Sequence, residues 1–469
     1  MTSTQVKTAA KASRSDSIVV FGVTGDLSHK EIFPALYGLF RDESLSVPVV
    51  GVARSDWTAE HLRERAKQSV LERGGQDDGA FAELAKQLHY VRGDYGSTET
   101  YGRIREALGD ARSPLFYMAI PPSVFPVVLD ALAASACGEG AKVVVEKPFG
   151  RDLESARSLN LTLHQHFREA DIYRIDHYLG KEPVQNIAYT RFANSLFEPI
   201  WDRHHVRSIQ ITMAEEFGVK ERGGFYEEAG AIRDVIQNHL LEVLAMVTME
   251  PPSGGDADAF RNEKARLLKA VKPLEQQCVV RGQYEGYRSA PGVSPDSSVE
   301  TFAAVKLAID NWRWAGVPVY LRTGKEMAVT TTEVFVEFRL PPRDTFGEAV
   351  PPSYSYLRIR ISPDVVIAFG LRVKVPGEGM RGRDAELTLT SLPEDLRPPY
   401  QRLLGDAIRG SQDLFARQDS VEAAWRVVDP VLKDAPAPYP YEPGGWGPKE
   451  ADELLGNKGP WRRPGPNHG

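Results

Sequence analysis

The order of apolar runs predicts two folded units: a doubly wound α/β domain over residues 17–180, then an α+β domain over residues 181–469 with a large, mostly antiparallel sheet. Two observations carry this. Through the first third, short runs that are apolar at every position alternate with helical patterns, the mark of a parallel sheet covered on both faces. Beyond about Lys181, runs of alternating polarity follow one another with few helices between them, so connections are short and neighbouring strands run antiparallel.

The first run, Ser17-Ile18-Val19-Val20-Phe21, ends in Gly22-Val23-Thr24-Gly25-Asp26, after which Ile32, Leu36, Leu39 and Phe40 recur at helical spacing. This is strand, tight turn, helix. The strand pattern returns at Pro48 to Ala53, Leu115 to Ile120 and Lys142 to Glu146, with helical stretches between. In the second unit His205 to Glu215 alternates as a half-buried strand, and a long helical pattern runs from Tyr226 to Met249. Further strands are expected at Thr301 to Ile309, Val317 to Leu321, Glu333 to Leu340, Tyr356 to Ile361 and Ala385 to Thr390. The last 35 or so residues are rich in Pro and Gly and read as irregular coil. Residues 1–16, largely Thr, Ser, Ala and Lys without an apolar stretch, read as a disordered tail, neither signal peptide nor anchor.

In 469 residues, 57 Lys and Arg stand against 64 Asp and Glu, a net charge of -7 that disfavours nucleic acid and anionic membrane as partners. No run reaches the roughly 18 to 20 apolar residues that cross a bilayer. The two cysteines, Cys137 and Cys278, offer neither a disulfide framework nor a thiolate metal site, which fits a reducing cytoplasm.

Five stretches carry candidate chemistry. Gly22, Thr24 and Gly25, followed by Asp26 and Leu27, lie between a strand and a helix, where glycines admit a pyrophosphate to the helix N-terminus. The spacing is G-x-x-G, and the same turn also serves a bare strand–helix connection. After the second strand, Arg54-Ser55 offers a guanidinium and a hydroxyl suited to a 2′-phosphate, hence NADP, while Asp56 leaves NAD possible and a solvated arginine is the plain alternative. Glu146-Lys147-Pro148-Phe149-Gly150 closes the last strand of the first domain at the ligand-bearing edge of the sheet, where Lys147 can hold a sugar hydroxyl or simply be solvated.

The densest chemistry is Arg174 to Glu182, which holds Asp176, His177, Tyr178 and Lys181 within six positions at the domain junction. Imidazole, phenol and ammonium make a phosphate clamp, with Asp176 free to orient a base; a charged linker accounts for the same polarity. On the long helical pattern His239 shares a face with Ile232, Val235 and Val243, as either a satisfied core histidine or a general base held by a carboxylate. Neither H-E-x-x-H nor G-x-S-x-G occurs, so no zinc site and no serine nucleophile is expected.

From about Ile18 to Leu455 the chain resembles the glucose-6-phosphate dehydrogenase family. The most specific match is R-I-D-H-Y-L-G-K-E at Arg174 to Glu182; others are Gly22 to Leu27, Ala119 to Ser123, Glu146 to Gly150, Arg191 to Asn194, Gly230 to His239 and Arg322 to Lys325. The resemblance implies a Rossmann-like coenzyme domain, a second domain with a large antiparallel sheet, and homodimers or homotetramers formed through that sheet. It implies oxidation of β-D-glucose 6-phosphate at C1 to 6-phosphoglucono-δ-lactone with NADP, the entry step of the oxidative pentose phosphate pathway. Carried onto this chain, it makes His239 the base and Asp176 its partner. His177, Tyr178 and Lys181 become contacts to phosphate and substrate, and Lys147, Glu215, Asp234 and Lys325 contacts to the sugar. Coenzyme contacts fall on Gly22, Thr24, Gly25, Asp26, Leu27, Arg54, Ser55 and Lys147. Two positions depart from the family pattern: Thr330 and Glu31 stand where it commonly has cations. They leave open a relative acting on another aldose or sugar phosphate; a non-catalytic paralogue is the other alternative.

Overall fold

The structure, a computed structural model, describes residues 14–465 except 77, 136, 139, 348–352, 378 and 391–396. Among the described residues, the first sheet comprises β1 (Ser17–Phe21), β2 (Val49–Ala53), β3 (Leu88–Arg92), β4 (Pro114–Met118), β5 (Lys142–Glu146) and β6 (Ile172–Ile175). All pairs are parallel and the spatial order is β3-β2-β1-β4-β5-β6. The order reverses between β1 and β4, the switch point beyond whose carboxyl ends open α/β sheets bind ligands. Every residue of β1, β2, β4 and β5 is buried, as continuous apolar strands require when helices cover both faces. β3 carries no such run: it is an edge strand that leaves His89 and Arg92 exposed.

The second sheet comprises β7 (Val206–Ala214), β8 (Val279–Tyr284), β9 (Phe302–Leu307), β10 (Val319–Gly324), β11 (Thr331–Phe338), β12 (Tyr356–Ser362), β13 (Val366–Lys374), β14 (Gly382–Thr390) and β15 (Tyr439–Tyr441). Its order is β14-β13-β12-β11-β7-β10-β9-β8-β15, antiparallel except for the pairs β7/β10 and β8/β15. β8 and β13 lack a clean sequence signal because Arg281, Gly282, Gly370 and Arg372 interrupt their apolar alternation.

Three expectations need correction. The helix from Tyr226 to Met249 is three segments, Gly223–Ala231, a π-helical stretch Ile232–Leu240, and Leu241–Thr248. The break falls at Gly230, whose φ of +65° belongs to the left-handed region and where a Cβ would lie 2.6 Å from Glu300 Oε1. The C-terminal stretch packs: β15 pairs with β8, Lys449–Lys458 forms 3₁₀ turns, and buried Trp461 donates Nε1–H to the Ala451 carbonyl at 2.8 Å. Of the expected tail, residues 1–13 lie outside the described residues, while Ser15 and Asp16 are held. Ser15 N–H donates to Ile408, and the Asp16 carboxylate accepts from the Arg112 and Ser113 N–H groups at 2.7 and 2.9 Å.

Two helices late in the chain, Pro399–Arg409 and Gln418–Val428, return to the first sheet. Trp425, fully buried on the second, donates Nε1–H to the Phe149 carbonyl at 2.8 Å, and Arg402 on the first donates to the Gly180 carbonyl at 2.7 Å. Both bonds tie the later chain to the segments after β5 and β6. No helix among the described residues is long and apolar enough to cross a membrane.

Candidate active site

β6 delivers Asp176 to the carboxyl edge of the first sheet, and the π-helical stretch delivers His239 to the same point. The Asp176 Oδ1 atom accepts from His239 Nδ1 at 2.5 Å and from the Tyr178 N–H at 2.9 Å, and both acidic and imidazole side chains are buried. On the far side of the ring, Lys147 Nζ lies 3.0 Å from His239 Nε2 and donates to the Asp234 carbonyl at 3.0 Å and its Oδ1 at 3.2 Å. Lysine can only donate and an ionised carboxylate can only accept, so this arrangement selects one tautomer: the proton sits on Nδ1 and Nε2 presents a lone pair.

The electrostatics agree. Burial, reinforced by the Lys147 charge, holds the His239 imidazole below the ordinary histidine range despite the pull of Asp176. Burial alone would raise Asp176; the imidazole of His239 and the cations nearby outweigh it and keep the carboxyl ionised well below its usual range. Burial likewise keeps His177 neutral, with His239 adding to the effect. Asp234 is drawn to about 2, since Lys147, Lys325 and His239 overcome its burial.

The ring of Tyr178 stacks on His239 with centroids 4.5 Å apart, and the edge of His177 meets His239 at the same distance. Lys181 Nζ lies 3.8 Å above the Tyr178 ring, and burial lowers its ammonium to about 8. Strands β7 and β10 run parallel with Ala214 opposite Gly324, so the residues that follow, Glu215 and Lys325, leave the sheet side by side and form an ion pair. Lys147 reaches the site from a cis Lys147–Pro148 peptide directly after β5.

These groups line one cleft of about 1120 Å³ between the domains. Its wall includes Asp26, Leu27, Lys147, His177, Tyr178, Lys181, Glu215, Asp234, His239 and Lys325, with Asp176 just behind His239. Glu31 and Thr330 also line it: Glu31 pairs with Arg73 at 3.0 Å, and Thr330 exchanges hydrogen bonds with Glu216, both at 3.0 Å. Gly22, Thr24, Gly25, Arg54 and Ser55 stand apart from this wall, around the carboxyl ends of β1 and β2.

At that second location Gly22 has φ +77°, and a Cβ there would lie 2.1 Å from the Ala119 carbonyl of the segment after β4. Ser55 Oγ donates to Thr24 Oγ1 at 3.3 Å, and Arg54 is exposed beside them. A bare turn flanked by hydroxyls and an exposed guanidinium suits a dinucleotide. Asp176, His177 and His239 each bring one ligand-type atom within 4.8 Å of the others, a convergence that the sequence spacing did not reveal. The Lys147 ammonium on Nε2 repels any cation there.

Several cleft residues carried no usable sequence signal. Thr332 bonds the Tyr178 hydroxyl at 3.0 Å, and Tyr400 lies parallel to His177 with centroids 6.5 Å apart. Glu146, which heads the Glu146–Gly150 motif read from the sequence, is buried and accepts from the hydroxyls of Tyr117 and Tyr400, and burial pushes it up to about 7. Of Thr332 and Tyr400, only Tyr400 had a hint, Pro398-Pro399 before a helical pattern.

Two family profiles match the chain: "Glucose-6-phosphate dehydrogenase, NAD binding domain" over residues 19–186 and "Glucose-6-phosphate dehydrogenase, C-terminal domain" over residues 188–462. Glucose-6-phosphate 1-dehydrogenase 1 of Mycobacterium tuberculosis is 43% identical over 455 residues, covering 96% of this chain and 97% of its own. The crystal structure of glucose-6-phosphate 1-dehydrogenase from Mycobacterium avium superposes with a TM-score of 0.91 at 43% identity, covering 97% of this chain and all of that one. A glucose-6-phosphate dehydrogenase solved with its substrate glucose-6-phosphate gives 0.89 at 34% identity, over 97% of this chain and all of that one. With a six-stranded parallel sheet and a nine-stranded mixed sheet among the described residues, and these matches along nearly its whole length, the chain belongs to the glucose-6-phosphate dehydrogenase family.

Proposed function

We infer that this chain oxidises β-D-glucose 6-phosphate at C1 to 6-phosphoglucono-δ-lactone and passes the hydride to NADP, the first step of the oxidative pentose phosphate pathway. The observation that carries this reading is the Asp176–His239–Lys147 line, which holds one neutral imidazole with its Nε2 lone pair toward the cleft. Bound nicotinamide supplies the hydride acceptor. As the hydride leaves C1 the hydroxyl proton has to leave too, and His239 Nε2 takes it. Asp176 stabilises the imidazolium that forms. The low intrinsic basicity of the buried ring then favours release of the proton.

In the resting protein Lys147 occupies Nε2, so the C1 hydroxyl must displace the ammonium from that atom. Lys147 retains Asp234 as it moves and remains a donor to the sugar. Glu215 and Lys325 bind the ring hydroxyls. His177, Tyr178 and Lys181 take the phosphate through neutral donors and one ammonium. Gly22, Thr24, Gly25, Asp26 and Leu27 hold the pyrophosphate end of the coenzyme, with Arg54 and Ser55 on the 2′-phosphate and Lys147 near the nicotinamide. The chain divides at 180/181, which puts the base and its carboxylate on different domains.

The test is turnover of purified protein on a panel of glucose 6-phosphate, galactose 6-phosphate and free glucose, each with NADP and NAD. The expected order is glucose 6-phosphate first, NADP over NAD, with an acid limb below the ordinary histidine value of about 6.5. His239→Ala is expected to lower kcat by about 1000-fold, within the usual range for an acid–base group, with substrate binding retained. Unchanged turnover rejects His239 as base. A second reading, a dehydrogenase of another aldose or sugar phosphate, is favoured by the uncharged Thr330 and acidic Glu31 in the cleft wall; a preference for free glucose or for galactose 6-phosphate would select it.

A further inference from the structure

In an α-helix each main-chain N–H is satisfied four residues back, and a polar side chain in the interior competes with that ladder. A π-helical turn is wider by one residue and recurs at functional sites. In the stretch Ile232–Leu240 one amide side chain spans the wide turn. Asn238 Nδ2 donates to the Arg233 carbonyl, five residues back, at 3.0 Å, and Asn238 Oδ1 accepts the N–H of His239 at 2.7 Å. The adjacent carbonyl, that of Asp234, faces the cleft and receives Lys147 Nζ at 3.0 Å. One side chain therefore fixes the backbone at both ends of the turn, at Arg233 beside the Lys147 anchor and at His239 itself.

The consequence for the base is geometric. The His239 ring meets Asp176 on one side and Lys147 on the other, and these come from separate strand ends, β6 and β5. The backbone of residue 239 carries the ring and so sets how far it reaches between them. We propose that Asn238 is a positioning residue for the reaction: its amide holds the wide turn that aims His239 Nε2 at C1 and leaves the Asp234 carbonyl open to Lys147. This rests on the reading of His239 as the base.

Asn238→Ala is to be assayed beside His239→Gln with glucose 6-phosphate and NADP. Because a misplacement of about 1 Å costs about 100-fold, Asn238→Ala is expected to lose about 100-fold in kcat while the KM for glucose 6-phosphate moves less than about threefold. Imidazole ¹⁵N spectra of histidine-labelled protein should change from one dominant His239 tautomer, protonated on Nδ1, to a mixture. A kcat within about twofold of the parent and an unchanged His239 signal overturn the proposal. If His239→Gln turns over normally, the base assignment is what has failed. If His239→Gln is inactive and Asn238→Ala is normal, the role of Asn238 alone falls.

Should the alanine variant not fold, Asn238→Asp carries the test, since it keeps the oxygen that receives the His239 N–H and loses only the donor to Arg233. The same kcat loss is expected. Its acid limb should also move to higher pH, because a carboxylate is added to the groups already facing the ring: Asp176, His177 and Tyr178 after β6, Lys147 after β5, and Asp234 on the same helix. An unchanged kcat and acid limb in this variant overturn the proposal as well.

Discussion

At the scale of single residues, the cleft is controlled by how burial sets charge. Lys181 is the ammonium in the cluster of His177, Tyr178 and Lys181, and with its ionisation lowered to about 8 it loses its proton as pH rises through that value. The KM for glucose 6-phosphate is therefore expected to climb above pH 8. Lys181→Ala should start about tenfold weaker, the worth of one charge-assisted hydrogen bond, and show no climb. Initial-rate measurements from pH 6 to 10 check both. His177 differs, since burial keeps it neutral and it brings no charge to that cluster. The identities of Asp176, His177, Tyr178, Lys181 and His239 were legible because polar groups of complementary chemistry cluster in one short segment and on one helix face. Thr332, Tyr400 and Asn238 were not, since each acts through a neighbour far away in sequence or through the local shape of its own helix.

At the scale of elements, the turn after β1 and the broken helix do the positioning. Gly22 sits at φ +77° with the Ala119 carbonyl where a side chain would go. Gly22→Ala must adopt a left-handed backbone and push the β4 segment aside, a strain of about 1–3 kcal/mol. Its thermal midpoint should fall and the KM for NADP should rise more than that for the sugar, which a melt and initial rates would detect. The strand run and the turn were readable from sequence because apolar continuity and glycine chemistry are local. The π-helical stretch was not: hydrophobic periodicity reports which face is buried, and residues 232–240 keep their buried face whether the turn is narrow or wide.

At the scale of the whole molecule, the C-terminal chain packs against the second sheet, which carries Lys325 to the cleft. Arg322 on β10 lies between Trp446 and Trp461, 4.7 Å from each ring, and donates to the Arg462 carbonyl at 2.8 Å. Burial lowers its guanidinium to about 9, and the aromatic faces and carbonyl offset the loss of water. Trp461→Ala is expected to cost about 3–5 kcal/mol in urea unfolding and to raise the sugar KM, because β10 also carries Lys325 to the cleft. On the outer strands β13 and β14, Leu371, Val373, Leu387 and Leu389 are exposed. A homodimer or homotetramer built on that face would cover them, and a monomeric mass by light scattering at micromolar concentration would dismiss this assembly.

Sequence by itself determined the two-domain architecture, the glycine turn after β1 and the residue types that gather in the cleft, since periodicity, glycine placement and functional-group clustering are properties of neighbours along the chain. Only the tertiary structure decided that Asp176 and His239, 63 positions apart, share one hydrogen bond, that Lys147 fixes the imidazole's tautomer, and that Tyr400 and the C-terminal segment return to the site and its supporting sheet. Those outcomes depend on how strand ends from two sheets converge. That is set by packing between distant segments, to which no local pattern refers.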